Sequence, residues 1–216
     1  KAKQLITDRP VLAGVIGPFS LAGRLLDVTE AMVLCYDEPE IVHEVLKKVT
    51  SFITEYIKAY KEAGADGIVL AEPLAGLLSP SLADEFSSEY VKQIVENTQT
   101  EDFIIVYHNC GDNVLYMLDG ILDTKSAAYH FGNSIDMEDM MKKIPNDIIA
   151  MGNVDPAGQI KNGTVDSIRE ETLKIMKKCC KYDNFIISTG CDVPPMAPWE
   201  NINAFFDAVN EYYNKA

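Results

Sequence analysis

Short apolar runs rich in Val and Ile alternate along the chain with longer amphipathic stretches. Parallel strands buried on both faces and joined by crossover helices produce that pattern. Strands are predicted at Val11 to Ile16, Gly67 to Ala71, Phe103 to Tyr107, Ala127 to His130, Ile148 to Met151 and Phe185 to Ser188. Between them the spacing predicts helices over Ser20 to Tyr36, Glu38 to Ala63, Ser81 to Thr98, Asn113 to Leu122, Met137 to Lys143, Val165 to Lys181 and Pro198 to Tyr213. In the second of these, Ile41, Val45, Val49, Phe52, Ile53, Tyr56 and Tyr60 form the stripe expected to face inward. Gly64 is placed to end that helix in the left-handed conformation.

Each predicted strand runs into a loop of Gly, Pro, Asp or Asn: GPFS, EPLAGLLSP, HNCGD, FGNSID, GNVDP and TGCDVPP in turn. Barrel enzymes place their chemistry in the loops at the carboxyl ends of the strands. The α/β pattern is therefore taken as a TIM-type (β/α) barrel, one domain over residues 1–216, with its polar residues gathered at that end. A complete barrel has eight strands in about 250 residues. About six β/α units in 216 residues predict a barrel that is incomplete at its N-terminus, lacking one or two units. An incomplete barrel exposes a sheet edge, which predicts a homodimer or rearranged ends.

Composition narrows the function. A net charge of −14 argues against nucleic acid or an anionic membrane as partner, because both need clustered Lys and Arg. No run reaches the roughly 18 to 20 apolar residues that span a bilayer, and the opening KAKQLITDRP lacks the apolar core of a signal peptide, so a cytoplasmic location is the expectation. The five cysteines, Cys35, Cys110, Cys179, Cys180 and Cys191, are odd in number and dispersed. That is a poor disulfide framework and points to free thiols or metal ligands.

His108 and Cys110 flank Asn109 just after the third predicted strand, and Cys191 follows the sixth. An imidazole and two thiolates suit tetrahedral zinc and leave a fourth position free, as catalytic zinc requires. Two thiolates cancel the ionic charge, so such a zinc polarises carbonyls weakly but hosts a further thiolate well, which favours alkyl transfer to sulfur over hydrolysis. The bland alternative is a pair of buried cysteines and a hydrogen-bonded histidine. Cys179 and Cys180 compete as ligands, but neighbours on a helix point about 100° apart and do not clamp one ion.

Further residues carry paired readings. Glu72 either fills the fourth metal position and takes the thiol proton, or caps a neighbouring loop from the rim. Asn153 and Asp155 in GNVDP either orient ligands or, for Asp155, cap a helix. Asp112 and Asp192 follow the two ligand loops, and a structural role at a turn or helix start is favoured over tuning the site. His130 ends a strand and faces substrate or simply hydrogen-bonds, while His43 is expected at the surface of a helix. Met117, Met140, Met141, Met151 and Met196 are expected to fill core gaps. Gly14, Gly17 and Gly23 lack the following Lys-Ser/Thr pair of a phosphate loop.

Taken together, GPFSLAG, LLSP, YHNCGD, GNVDP and STGCDVPPMAPWENI resemble the uroporphyrinogen decarboxylase superfamily over about Val11 to Tyr213. Within it they resemble the zinc-dependent branch of methylcobamide:coenzyme M methyltransferases and related corrinoid methyltransferases. That resemblance implies an H-x-C…C zinc site, matched by His108, Cys110 and Cys191. It also implies a methylated corrinoid cofactor carried by a partner corrinoid protein, and a small thiol, coenzyme M in the familiar case, as methyl acceptor. True decarboxylases of the superfamily carry no such metal set and use arginines and an aspartate near their amino terminus, whereas this chain has only Arg9, Arg24 and Arg169. Two alternatives remain: a donor-side enzyme that demethylates a methoxylated or methylated small molecule onto the corrinoid protein, and a non-catalytic binding module or subunit with a structural zinc.

Overall fold

The computed structural model describes residues 1–215. All six strands are present: β1 (Leu12–Ile16), β2 (Gly67–Ala71), β3 (Ile104–Asn109), β4 (Ala128–Phe131), β5 (Ile149–Val154) and β6 (Phe185–Thr189). Within the first unit β1/β2 and β2/β3 pair in parallel, and within the second β5/β6 do. The helices are α1 (Ala2–Leu5), α2 (Pro18–Leu26), α3 (Val28–Asp37), α4 (Pro39–Glu62), α5 (Pro80–Ala83), α6 (Glu89–Thr98), α7 (Leu118–Asp123), α8 (Met137–Met141), α9 (Val165–Cys179) and α10 (Trp199–Lys215). This is the α/β alternation expected. Two compact units are distinguished, Lys1–Ala128 and a second beginning at Tyr129.

In the first unit the core forms where β2 and β3 meet the helices. Ile68, Leu70 and Ile105 are completely buried, as are Phe86 and Ile94 behind them. Helix α4 contributes Val42, Leu46, Val49, Thr50, Ile53 and Ile57. Burying each of its large aliphatic side chains stabilises the unit by about 1.5 to 3 kcal/mol. The buried face is rotated from the expected one. Ile41, Phe52 and Tyr56 stand exposed, and Val49 and Ile53 alone of the predicted stripe are buried. The helix carries apolar residues around much of its circumference, so the periodic signal does not pick one face. Phe52, Tyr56 and Tyr60 instead form a surface ladder, with ring centroids 6.0 and 4.7 Å apart. The helix ends as expected: Gly64 adopts φ +87°, its N–H donates to the Lys61 carbonyl, and the Ala65 N–H donates to the Tyr60 carbonyl.

The helix expected over Ser20 to Tyr36 is broken. Asp27 takes φ 75°, and its side chain accepts the Thr29 N–H, so it starts α3 as an N-cap after ending α2. His43 is a second correction. It is half-buried, its ring stacked 4.8 Å from Phe86 and its Nδ1 2.8 Å from the Tyr90 hydroxyl.

The second unit is organised by α9 and α10. Thr164 and Ser167 form a reciprocal capping box at the start of α9, which buries Ile168, Thr172, Ile175 and Met176. Asn201, nearly fully buried on α10, donates from Nδ2 to the carbonyls of Ile160 and Gly163, pinning the turn before α9. Met140 and Met141 fill the core here as Met117 does in the first unit, but Met196 is 80% exposed and fills nothing. No helix among the described residues is long and apolar enough to cross a membrane.

Candidate metal centre

Strand β3 continues two residues past its predicted end, so His108 and Asn109 lie in the strand and not in the loop. The extension is held by pairing: His108 stands opposite Ala71 in register, and the Glu72 N–H donates to the His108 carbonyl at 2.8 Å. His108 is buried, and Cys110, half-buried, is the first residue beyond the strand. The chain turns there because Asn109 closes it. Its side-chain Oδ1 accepts the Gly111 N–H at 2.9 Å across Cys110, and its Nδ2 lies 3.3 Å from the Tyr107 hydroxyl. Gly111 then passes directly against Gly76, where an added Cβ would come 2.5 Å from the Gly111 Cα. Sequence reasoning treated Asn109 only as a spacer. The signal was present as Asn-Cys-Gly after a strand, the composition of an Asx-turn.

Glu72 follows β2 and is fully buried, not at a rim. Its Oε1 accepts the Phe19 N–H at 2.7 Å, and its Oε2 accepts the Ser20 N–H at 2.9 Å and the Ser20 hydroxyl at 2.6 Å. Both amides belong to the first turn of α2, where donors are otherwise orphaned and the helix dipole favours negative charge. Of its two readings, the geometry supports capping, of a helix and not a loop. Burial nevertheless pushes its carboxyl up to about 7, against the lowering effect of these donors. Gly17 makes room for it, since a Cβ there would overlap the Glu72 side chain.

In the second unit, Cys191 lies two residues past β6, half-buried. The loop is tied down on both sides of it. The Gly190 N–H donates to the Val154 carbonyl at 2.7 Å, and the Thr189 hydroxyl donates to the Cys191 carbonyl at 2.9 Å. His130, in β4, donates from Nε2 to the Thr189 carbonyl at 2.6 Å, which ties β4 to the end of β6. Asn153 donates from Nδ2 to the Gly132 and Ile135 carbonyls, holding the loop after β4. Asp155 takes the Ala157 and Gly158 N–H groups at 2.9 Å each and is the N-cap of the turn Pro156–Lys161. Asp112 and Asp192 are exposed, and Asn113 rather than Asp112 precedes the next helical turn.

His108 and Cys110, two residues apart, bring an imidazole and a thiol to the end of β3 in the first unit, and Cys191 stands two residues past β6 in the second. A borderline-soft nitrogen and two sulfurs are a donor set compatible with zinc. The remaining cysteines are of another kind: burial pushes the thiols of Cys35 and Cys179 up to about 11, and burial also raises Cys180. They are poor thiolate sources at neutral pH.

Six strands alternating with helices, each followed by a polar loop, define a TIM-barrel-like α/β protein. The profile of the uroporphyrinogen decarboxylase (URO-D) family matches residues 2–212, and the chain belongs to that family. Its fold is similar to that of a methyltransferase from Methanosarcina mazei, with a TM-score of 0.87 and 26% sequence identity, over 98% of this chain and 61% of that one. In sequence it is 28% identical to the uroporphyrinogen decarboxylase of Prochlorococcus marinus (strain NATL1A), over 98% of this chain and 62% of the relative. It is 30% identical to the uroporphyrinogen decarboxylase of Chlorobium phaeobacteroides over 82% of this chain and 51% of that one. The chain thus spans about half to three fifths of the length of these proteins.

Proposed function

We propose that this chain carries the metal-binding part of a zinc-dependent corrinoid methyltransferase, which moves a methyl group from a methylated corrinoid protein to a small thiol. The observation that carries this reading is the placement of an imidazole and two thiols at strand ends, His108 and Cys110 at the end of β3 and Cys191 two residues past β6. Similarity to a methyltransferase supports it. The decarboxylase names of the sequence relatives are less well served by the residues present. Among the arginines present, Arg9 pairs with Asp8 and Arg169 with Glu211 at the surface.

Zinc bound by one imidazole and two thiolates supplies a site that lowers a thiol from about 8.5 toward neutrality while leaving its sulfur nucleophilic. The chain's own residues do the rest by placement. His108 is fixed by β3, Cys110 by the turn that Asn109 closes, and Cys191 by the Thr189 and Gly190 contacts. Three protein donors would leave room at the metal for a substrate sulfur. Holding that sulfur in line with a methyl group is the main source of acceleration available to such a site. The corrinoid protein and the thiol are the partners this reading requires, and a homodimer is compatible with it.

Zinc content of the wild type and of Cys191→Ala tests the ligand set, and cobalt-substituted spectra with and without coenzyme M or other thiols test the open position. Expected are loss of metal in the variant and a thiol-dependent spectral change in the wild type. Methylcobalamin mixed with a panel of thiols then tests transfer directly. A wild type that binds no zinc refutes the reading, and a bound metal that ignores every thiol identifies a structural zinc instead.

A further inference from the structure

We propose that Asn109, the residue between two of the candidate ligands, is a positioning residue that sets the direction of the Cys110 thiol. The inference rests on the metal reading above and concerns how the chain prepares for the ion. Asn109 is fully buried although it is polar and lies at the end of a strand. Its side chain spans Cys110: Oδ1 accepts the Gly111 N–H at 2.9 Å, two residues on, closing a ring of backbone and side chain that contains the cysteine. The amide is turned that way because its Nδ2 faces the Tyr107 hydroxyl, itself on a buried side chain.

The same few atoms are pressed from the other side. A Cβ added to Gly76 would stand 2.5 Å from the Gly111 Cα and 2.9 Å from the Asn109 Oδ1, so the turn has a backbone wall behind it. Cys110 is therefore held between a strand end and a closed turn backed by glycine. A thiolate ligand needs its Cα–Cβ bond aimed at the ion before the ion arrives, because reorienting the backbone on binding subtracts from affinity. A residue at this place whose only task was to fill space would not require an acceptor facing Gly111. Loss of the acceptor opens the ring that contains Cys110, while His108 keeps its strand pairing.

The test compares wild type, Asn109→Leu, Asn109→Ser and Cys110→Ala. Leucine keeps the volume and removes the acceptor, whereas serine keeps a short acceptor able to take the same N–H. Zinc affinity is read by competition with a chromophoric chelator, and the number of sulfur ligands by the intensity of thiolate-to-cobalt absorption. Asn109→Leu is expected to weaken zinc binding roughly 10- to 100-fold, the range typical when a partner that orients a metal ligand is lost. Its charge-transfer band should shrink toward that of Cys110→Ala, and Asn109→Ser should recover most of both signals. A purely structural residue would lower the unfolding midpoint without altering the band of the protein that remains folded. Should Asn109→Leu not fold, Gly76→Ala, which presses on the same turn, is read against Asn109→Ser instead. A folded Asn109→Leu, or in its place a folded Gly76→Ala, that binds zinc and cobalt as the wild type does overturns the proposal. A wild type without zinc affinity, or a Cys110→Ala variant that binds as tightly as wild type, fails the metal reading itself, which distinguishes the two outcomes.

Discussion

Glu72 sets two opposing effects against each other in one side chain. Burial disfavours its charge, while two backbone amides and a hydroxyl favour it, and the balance leaves the carboxyl at about 7 against an ordinary 4.5. Between those values the folded protein holds a proton that the unfolded chain has released, so stability must fall as pH rises through this window. Raising the carboxyl from 4.5 to about 7 corresponds to about 3 kcal/mol. The perturbation is Glu72→Gln, which keeps the shape of the side chain and removes its titration. Urea unfolding of wild type and variant, both freed of metal, is measured at intervals from pH 4 to pH 8. The wild-type minus variant difference cancels the other titrating groups. It should be largest at the acid end, decline by about 3 kcal/mol on the way to neutrality and level off beyond the folded value. A difference that is flat, or that grows with pH, would mean that the donors of α2 outweigh burial and would refute this account.

Two further outcomes follow from single contacts. Gly64→Ala meets no neighbouring atom but forces a Cβ into φ +87°, so the unfolding midpoint should drop by an amount equivalent to about 1 kcal/mol, and an unchanged midpoint would count against the left-handed cap. Asn153→Ala removes the donor to the Gly132 and Ile135 carbonyls, and calorimetry should record a loss of about 2 to 4 kcal/mol, with little change only if water replaces both bonds.

Strands were legible because β-branched runs bounded by Gly and Asp have few alternatives, and β2 lies where its pattern places it, over Gly67–Ala71. Strand ends were less so: His108, Asn109 and Asn153 are polar, and only pairing with a neighbour shows that the chain is still extended there. Helix existence was legible, but the buried face of α4 was not, since Phe52 and Tyr56 carry an apolar signal while standing in solvent. The ligand candidates were visible from residue type and placement after strands. What surrounds them was not. The bonds of Glu72 to Phe19 and Ser20 join positions more than 50 residues apart, and nothing in local spacing announces them.

The continuation of β3 through His108 gives the candidate ligands unequal freedom. The imidazole is carried by a backbone locked in its sheet, whereas Cys110 and Cys191 stand on short loops beyond strand ends. In the first unit, a change confined to the turn after β3 would accordingly shift the Cys110 sulfur while the imidazole keeps its place in the sheet.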